Sequence, residues 1–235
     1  MSLNQHYTYF FILGASLAGP LVLSFDKKVA FYKKWKYLFP AMLAPALFYI
    51  VWDIIFTFNG VWSFNEDYIT GIKLINLPVE EVLFFFVVPY CCLFIYECIR
   101  CYFPKMYNKP IADSMLAAVA ILLLVIGLIM HNRAYTSVTF FLTAVCSFIV
   151  LWKKSLFKGF DTASFLLSYL IILVPFLIVN GFLTAIPVVL YNDAENLGIR
   201  IYTIPFEDVF YGMLLILMNT VIYERLRHRG IRKFT

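Results

Sequence analysis

Charged residues are scarce in this chain. Of its 235 residues only 14% are charged, whereas 63% are apolar. Soluble domains contain about 25% charged and about 45–50% apolar residues. No polar stretch is long enough to form a separate soluble domain, and the mean hydropathy is +0.84. The composition therefore excludes an ordinary water-soluble domain and predicts a chain that lies in a lipid bilayer.

Histidine and cysteine are too few and too scattered to suggest a metal site. His6, His131 and His228 are isolated, and Cys98 and Cys101 form a single Cys-x-x-Cys pair with no histidine nearby. A structural zinc site needs four such ligands. The sequence also lacks the Gly-x-Gly-x-x-Gly fingerprint of dinucleotide-binding folds. We therefore predict no metal site and no bound cofactor.

Seven apolar segments have the length of about 20 residues that a membrane span requires. The first segment has no basic residues before it and no small-residue cleavage site after it, so we do not expect its removal as a signal peptide. The predicted fold class is an all-α integral membrane protein with seven transmembrane helices. The segments lie at about 7–25, 38–57, 78–99, 112–130, 134–152, 163–187 and 205–223.

Basic residues fall almost entirely on one side of this topology. The loops after the first, third and fifth segments and the C-terminal tail hold 16 of the 19 lysines and arginines, which leaves Lys73, Arg133 and Arg200 on the other side. Cytoplasmic loops carry such an excess. We therefore expect a protein of the cell's inner or plasma membrane, with its N-terminus outside and its C-terminus in the cytoplasm. The net charge of +5 then suits anionic lipid, and no nucleic-acid-binding pattern accompanies it.

The two ends of the chain match each other at an offset of 127 residues. This internal similarity predicts a single membrane domain, 1–235, built from repeat 1 (1–108), a linker helix (112–130) and repeat 2 (134–235). Three spans per repeat and one linker span give both repeats the same orientation, related by an axis along the membrane normal. The matched segments are Pro78-Val-Glu-Glu-Val with Pro205-Phe-Glu-Asp-Val, Gly71-Ile with Gly198-Ile, and Ile95-Tyr-Glu with Ile222-Tyr-Glu.

Two acids follow the proline of each repeated motif: Glu80 and Glu81 in the first, Glu207 and Asp208 in the second. One interpretation is structural, because proline and acids are both favoured at the start of a helix. The other is chemical, because ionisable groups at membrane depth are costly and commonly functional. Neighbouring helix positions diverge by about 100°, so one acid of each pair can face a pocket between the repeats. Apolar surroundings and an adjacent carboxyl favour the protonated form, which suits a general acid.

Polar and aromatic residues near the motifs are candidates for binding a substrate. Asp53 falls on Asn180 at the offset of 127, and the two could form the polar floor of the pocket. Contact of Asp53 with interfacial water is the alternative, and both interpretations stay open. Trp52, Phe84 and Tyr211 suit a hydrophobic polyene and a carbocation if they face inward. Otherwise they belong to the aromatic belt at the membrane interface.

Another repeated pattern lies at the cytoplasmic ends of the third and seventh spans. Glu97 and Arg100 fall on Glu224 and Arg227 at the same offset. Residues three positions apart are neighbours on a helix surface. We therefore predict a structural ion pair within each of these helices.

The doubled proline–acid motif resembles that of the non-flavin lycopene cyclases, which are small membrane proteins. The resemblance covers essentially the whole chain, which is similar to the fused form of that family. The second half has Asn180 in place of Asp53 and no clear copy of Trp62, so equal chemistry in the two halves is not implied. The segments that carry the resemblance are Leu77-Pro-Val-Glu-Glu-Val-Leu-Phe-Phe, Ile204-Pro-Phe-Glu-Asp-Val-Phe-Tyr, Trp52-Asp53 and Asn59-Gly-Val-Trp-Ser.

The resemblance implies an intramolecular lyase that cyclises lycopene, or a related acyclic carotenoid, to β-ionone rings of γ- and β-carotene. A carboxylic acid protonates C2, the C5=C6 alkene attacks the cation, and C6 then loses a proton. Glu80 and Glu207 are expected to supply or relay the proton, with Glu81 and Asp208 as bases or as neighbours that set the pKa of the donor. Which acid of each pair takes which role stays open. The redox-neutral reaction implies no cofactor. Membrane lipid and other carotenoid-pathway enzymes are the expected partners.

Two other classes of membrane protein have a comparable number of spans. Small sugar transporters also contain a three-plus-one-plus-three parallel repeat, but these spans hold few polar groups for a hydrophilic solute. A retinal-binding photoreceptor would need a lysine inside the last span, and residues 205–223 contain none. The transporter remains the alternative, and conversion of red lycopene to an orange-yellow product would distinguish the enzyme from it.

Overall fold

Long helices dominate the fold, as the sequence predicts. The computed structural model describes residues 5–104 and 110–232, and within them seven helices are long and apolar enough to cross a membrane. Helices suit this setting because each satisfies its own backbone hydrogen bonds where water is absent. The architecture fits an integral membrane protein. The helices are α1 (Thr8–Leu23), α2 (Trp35–Phe58), α3 (Val79–Tyr102), α4 (Pro110–Ile129), α5 (Ala134–Trp152), α6 (Thr162–Ala185) and α7 (Asp208–Arg232).

The predicted segments agree with these helices to within a few residues at most ends. The largest difference lies at the end of α7, which continues well beyond the predicted 223. The start of α2 and the end of α3 each differ by three residues from the predicted 38 and 99. The end of repeat 1 at residue 108, together with Lys105 and Lys109 of the predicted cytoplasmic loop, lies outside the described residues.

Short strands cover one end of the helix bundle. Strand β1 pairs antiparallel with β4, β2 with β3, and β5 with β6. The last two pairs are hairpins that lead directly into α3 and α7. In the first pair Ser63 lies opposite Leu190, the residue 127 positions later. The strands are β1 (Trp62–Phe64), β2 (Lys73–Leu74), β3 (Leu77–Pro78), β4 (Val189–Tyr191), β5 (Arg200–Ile201) and β6 (Ile204–Pro205).

The motif-bearing helices begin after their prolines rather than on them. Pro78 has extended backbone, with φ −57° and ψ 145°, and α3 begins at Val79. Pro205 lies in β6, and α7 begins at Asp208. The predicted helix starts are therefore one and three residues early. The reason is local, because each proline belongs to the final strand of a hairpin and its backbone is extended there.

Helix packing places the core beside the two motif-bearing helices. Helix α2 packs against α7 and α3 against α6, while α1 lies on α3, and α5 contacts both α4 and α7. Tyr49, Phe85 and Leu217 belong to the largest buried cluster, whereas outward residues such as Leu47 and Leu122 are exposed. Lipid is as apolar as these side chains, so close packing rather than water exclusion holds such helices together.

Buried charges link α3 and α7 at the end of the bundle opposite the strands. Arg227 lies 2.7 Å from Glu97, and Arg100 forms an ion pair with Glu224. Arg227 also lies 3.5 Å from Glu224 in its own helix, and Lys34 forms a further ion pair with Glu97. The prediction of pairs within each helix therefore missed the interhelical contacts, which arise because α3 and α7 pack against each other here.

Candidate active site

A small cavity lies within the bundle at the end that the strands cover. Its unfilled volume is about 40 Å³, which is room for only a few water molecules. A larger ligand therefore enters only if side chains of the wall move aside. The lining residues are Tyr9, Asp53, Trp62, Phe64, Glu81, Phe84, Tyr135, Phe176, Asn180, Leu183, Thr184, Val189, Tyr191, Asp208 and Tyr211.

Most of the predicted site residues meet at this cavity. They come from four helices that are distant in sequence, namely α2, α3, α6 and α7. Among the described residues, Glu80, Glu207 and Trp52 do not belong to the lining. Those that do are Asp53, Glu81, Phe84, Asn180, Asp208 and Tyr211.

Asp53 and Glu81 form a pair of buried carboxyls. Asp53 is on α2 and Glu81 is in the first turn of α3, and both carboxyls line the same small cavity. Tyr211 donates a hydrogen bond to Asp53 at 2.6 Å, and Tyr9 donates one to Glu81 at 2.6 Å. Two buried carboxyls that share one site are more stable when one of them carries a proton, because two like charges repel each other. The pair is therefore able to store and release a proton.

Asp208 has different surroundings, because two tyrosines donate hydrogen bonds to it. Tyr135 at the start of α5 donates to Oδ1 at 2.5 Å, and Tyr191 of β4 donates to Oδ2 at 3.0 Å. Burial raises the pKa of the Tyr191 hydroxyl well above its usual value, so this group stays a neutral donor. Donors on both oxygens stabilise the charged carboxylate. Asp208 is therefore suited to accept a proton.

Glu80 and Glu207 face the loops that precede their helices. Glu80 Oε1 accepts a hydrogen bond from the Thr70 N–H at 2.7 Å, and Glu207 Oε1 accepts one from the Leu197 N–H at 2.7 Å. Both side chains are fully buried, and in the described ranges the second oxygen of each has no hydrogen-bond partner. The acid that follows each of them, Glu81 or Asp208, lines the cavity instead.

Aromatic rings surround Tyr211 on the cavity wall. Its ring centroid lies 4.8 Å from that of Tyr49, 5.1 Å from that of Trp52 and 6.0 Å from that of Trp62. The contacts are edge-to-face, which is a favourable arrangement for aromatic pairs. Trp52 thus supports the wall from behind, while Phe84 reaches the cavity itself. Faces of such rings can stabilise a cation.

Three tyrosines that hold the acids were missed by sequence reasoning. Tyr9 matches Thr136 at the offset of 127, and Tyr191 matches Phe64, so the repeat comparison concealed them. Tyr135 matches Thr8, so this tyrosine is not repeated either. The sequence indicated only that they lie near the ends of spans. Tyrosines are common there in membrane proteins, so this position did not mark them as functional.

The cavity combines a proton-storing carboxyl pair, a separate carboxylate and aromatic rings inside an apolar bundle. Within residues 5–104 and 110–232, no group of three or more His, Cys, Asp or Glu side chains could hold a metal ion. The arrangement suits acid–base chemistry on an apolar substrate, with rings available to stabilise positive charge. The fold and the site thus define an acid-lined cavity in a membrane helix bundle.

Comparison with known proteins gives the family. The sequence model of the family Lycopene cyclase matches residues 6–99 and 132–226. These two stretches make up most of the chain, which therefore belongs to the lycopene cyclase family.

Individual relatives match a shorter part of the chain. The lycopene beta-cyclases of two strains of Halobacterium salinarum are 38% identical to it over 60 residues. This alignment covers 23% of the chain and 25% of each relative, so the chain spans about a quarter of the length of the curated relatives it matches. No solved structure matches the chain at a significant level.

Proposed function

We propose that the protein is a lycopene β-cyclase, an isomerase that closes β-ionone rings on lycopene or a related acyclic carotenoid. The observation that carries this proposal is the cavity where Asp53, Glu81 and Asp208 meet among aromatic rings in a member of the lycopene cyclase family. The halobacterial relatives are named for the same activity. The reaction isomerises a hydrocarbon, which suits an apolar cavity with a few acidic side chains on its wall.

The chemistry needs one proton to enter the substrate and one to leave it. Protonation at C2 produces a tertiary cation at C1, the C5=C6 alkene attacks C1, and loss of the C6 proton completes the ring. We propose that Glu81 and Asp208 act at the substrate, because these acids line the cavity. Glu80 and Glu207 then anchor the loops through backbone amides. The earlier expectation that Glu80 and Glu207 supply the proton stays a prediction, and the geometry supports the opposite order within each pair.

Expression in a bacterium that accumulates lycopene tests the activity. We expect red lycopene to be converted to orange-yellow carotenoids with β rings, detected by chromatography of the extracted pigment. Isolated membranes incubated in deuterated water should place one deuterium at C2 of each new ring, because the proton at that carbon comes from an exchangeable acid. Unchanged lycopene, with the protein present in the membrane, would contradict the proposal and favour the small-transporter alternative.

We also propose that the chain consists of two parallel three-helix units, 1–108 and 134–235, joined by a linker helix at 112–130. Local geometry recurring at the offset of 127 supports this division. The two hairpins match, and Glu80 and Glu207 each bind a loop amide in the same way. Ser63 lies opposite Leu190 in an antiparallel pair, as expected for matched strands related by a two-fold axis.

For the orientation, we propose that the hairpins lie outside the cell and the loop after α5 lies in the cytoplasm. The distribution of basic residues supports this. Membrane lipid is then the surrounding medium, and other carotenoid-pathway enzymes are proposed as partners that supply the substrate.

Cysteine labelling tests the orientation. In a chain freed of its five native cysteines, we expect Ile75→Cys and Tyr202→Cys to react with a membrane-impermeant maleimide added to intact cells. These hairpin residues are 78% and 84% exposed. The matched variant Ser155→Cys, on the exposed turn after α5, should react only after the membrane is opened. Labelling of Ser155→Cys alone in intact cells would reverse the proposed topology.

A further inference from the structure

The two halves of the chain carry different side chains at one pair of cavity positions that the 127-residue offset matches. In the first half Asp53 and Glu81 line the cavity together, and each accepts a hydrogen bond from one tyrosine. In the second half Asn180 stands at the position that matches Asp53, and an amide cannot exchange an acidic proton with a carboxyl. Asp208 instead has the hydroxyls of two tyrosines on its two oxygens.

These surroundings favour different protonation states for carboxyls that face the same space. Asp53 and Glu81 are buried on the same cavity wall and repel each other when both are charged, which favours a proton on one of them. Hydrogen bonds donated to both oxygens of Asp208 favour its charged form. Burial opposes that charge, but it does so for Glu81 as well, which has one tyrosine donor where Asp208 has two. The hydrogen bonds therefore favour a proton on the Asp53–Glu81 pair over a proton on Asp208.

We propose that the two halves divide the chemistry, with the Asp53–Glu81 pair as the proton donor and Asp208 as the proton acceptor. This division rests on the proposed cyclase function. Tyr135 and Tyr191 are positioning residues that fix the two oxygens of Asp208. One donor and one acceptor serve one end group at a time, so a substrate with two ends enters the same cavity twice.

The proton balance of each cycle closes without another reagent. The donor pair gives its proton to C2, and the electron pair of the C1=C2 bond forms the new C–H bond. The electron pair of the C5=C6 bond then forms the C1–C6 bond and leaves a cation at C5. Asp208 removes the proton from C6, whose C–H electrons form the new C5=C6 bond. Asp208 then releases this proton to water and the donor pair takes up a proton from water, so nothing is oxidised or reduced.

The acceptor determines which ring is formed, and this makes the division testable. The C5 cation can lose a proton from C6, from C4 or from the methyl group on C5, which gives β, ε or γ rings respectively. A carboxylate fixed beside C6 selects the β ring. Weakening or displacing it leaves formation of the cation intact but allows the other protons to be lost. Weakening the donor slows the formation of the cation and leaves the choice of ring unchanged.

The experiment measures ring type in variants expressed in a lycopene-accumulating host. We expect Asp208→Asn, and the double variant Tyr135→Phe with Tyr191→Phe, to raise the fraction of ε and γ rings roughly tenfold. Asp53→Asn should slow ring formation by roughly tenfold or more, since a proton-transfer partner is lost, and should yield β rings only. Tyr90→Phe is the matched control, because this buried hydroxyl contacts Ser24 rather than the cavity. It should change neither quantity.

Ring type is a ratio and does not depend on how much protein folds. Pure β rings from Asp208→Asn, or complete loss of cyclisation with that protein present in the membrane, would overturn the division. A shift in ring type in Asp53→Asn would also overturn it, as would unchanged ring type in the double tyrosine variant. Failure of the unaltered chain to cyclise lycopene would instead reject the proposed function, and that result is read before any variant is compared.

Discussion

Replacing Glu81 with glutamine is expected to lower the rate of cyclisation by roughly 10²- to 10⁴-fold, the usual contribution of a positioned acid or base. Glutamine has nearly the same shape and still accepts the hydrogen bond from Tyr9, but it has no proton to transfer to an alkene. It also leaves Asp53 without its carboxyl partner. The measurement is the initial rate of β-ring formation in isolated membranes supplied with lycopene, divided by the amount of protein in those membranes.

Glu80→Gln is the matched control, since the same change is made one residue earlier. The amide oxygen of glutamine can still accept the hydrogen bond from the Thr70 N–H, and this side chain lies outside the lining of the cavity. We expect the rate to fall by less than about tenfold, well below the loss expected for a general acid. If Glu80→Gln were the inactive variant and Glu81→Gln the active one, Glu80 would be the donor that the sequence first suggested.

The helices were predictable because each is specified by local sequence. A span needs about 20 consecutive apolar residues to cross the bilayer, and charged or turn-forming residues interrupt the chain between spans. The start of α7 was less predictable, because local sequence alone does not specify it. The hairpin that places Pro205 in a strand depends on pairing with Arg200–Ile201, and the apolar pattern does not record this pairing.

The membership of the site was predictable from the repeat, but the direction of its side chains was not. Asp53, Asn180, Glu81 and Asp208 were selected because two motifs and one polar position recur at a fixed offset. Which acid of each pair faces inward depends on how α3 and α7 are rotated within the bundle. A sequence with acids at two successive positions carries no signal that separates these rotations.

The partners of the acids were beyond sequence reasoning because they come from elements distant in the chain. Tyr9 reaches Glu81 from α1, and Tyr191 reaches Asp208 from a strand pair between the halves. Neither tyrosine is repeated at the offset that identified the acids. The same limit applies to Arg227, whose contact with Glu97 joins two helices. Only the packing of the helices reveals such pairs.

The aromatic wall of the cavity leads to the second large effect. Tyr211→Leu is expected to slow cyclisation by roughly 30-fold, which corresponds to about 2 kcal/mol, the strength of a cation–π contact shielded from water. The Tyr211 ring lies on the cavity wall and is packed between Tyr49 and Trp52, so its face is fixed before the substrate arrives. Leucine retains apolar bulk but has no ring face to stabilise the cation.

Tyr211→Phe separates the ring from the hydroxyl, which donates to Asp53 at 2.6 Å. Losing that hydrogen bond alone should cost about 1 kcal/mol, or roughly fivefold in rate. A tertiary amine analogue of the end group, protonated at neutral pH, mimics the cation and gives an independent measurement. Its inhibition constant should rise roughly 30-fold in the leucine variant and remain nearly unchanged in the phenylalanine variant. Equal rates and equal inhibition in the two variants would mean that the ring does not stabilise the cation, and that Tyr211 acts through its hydroxyl alone.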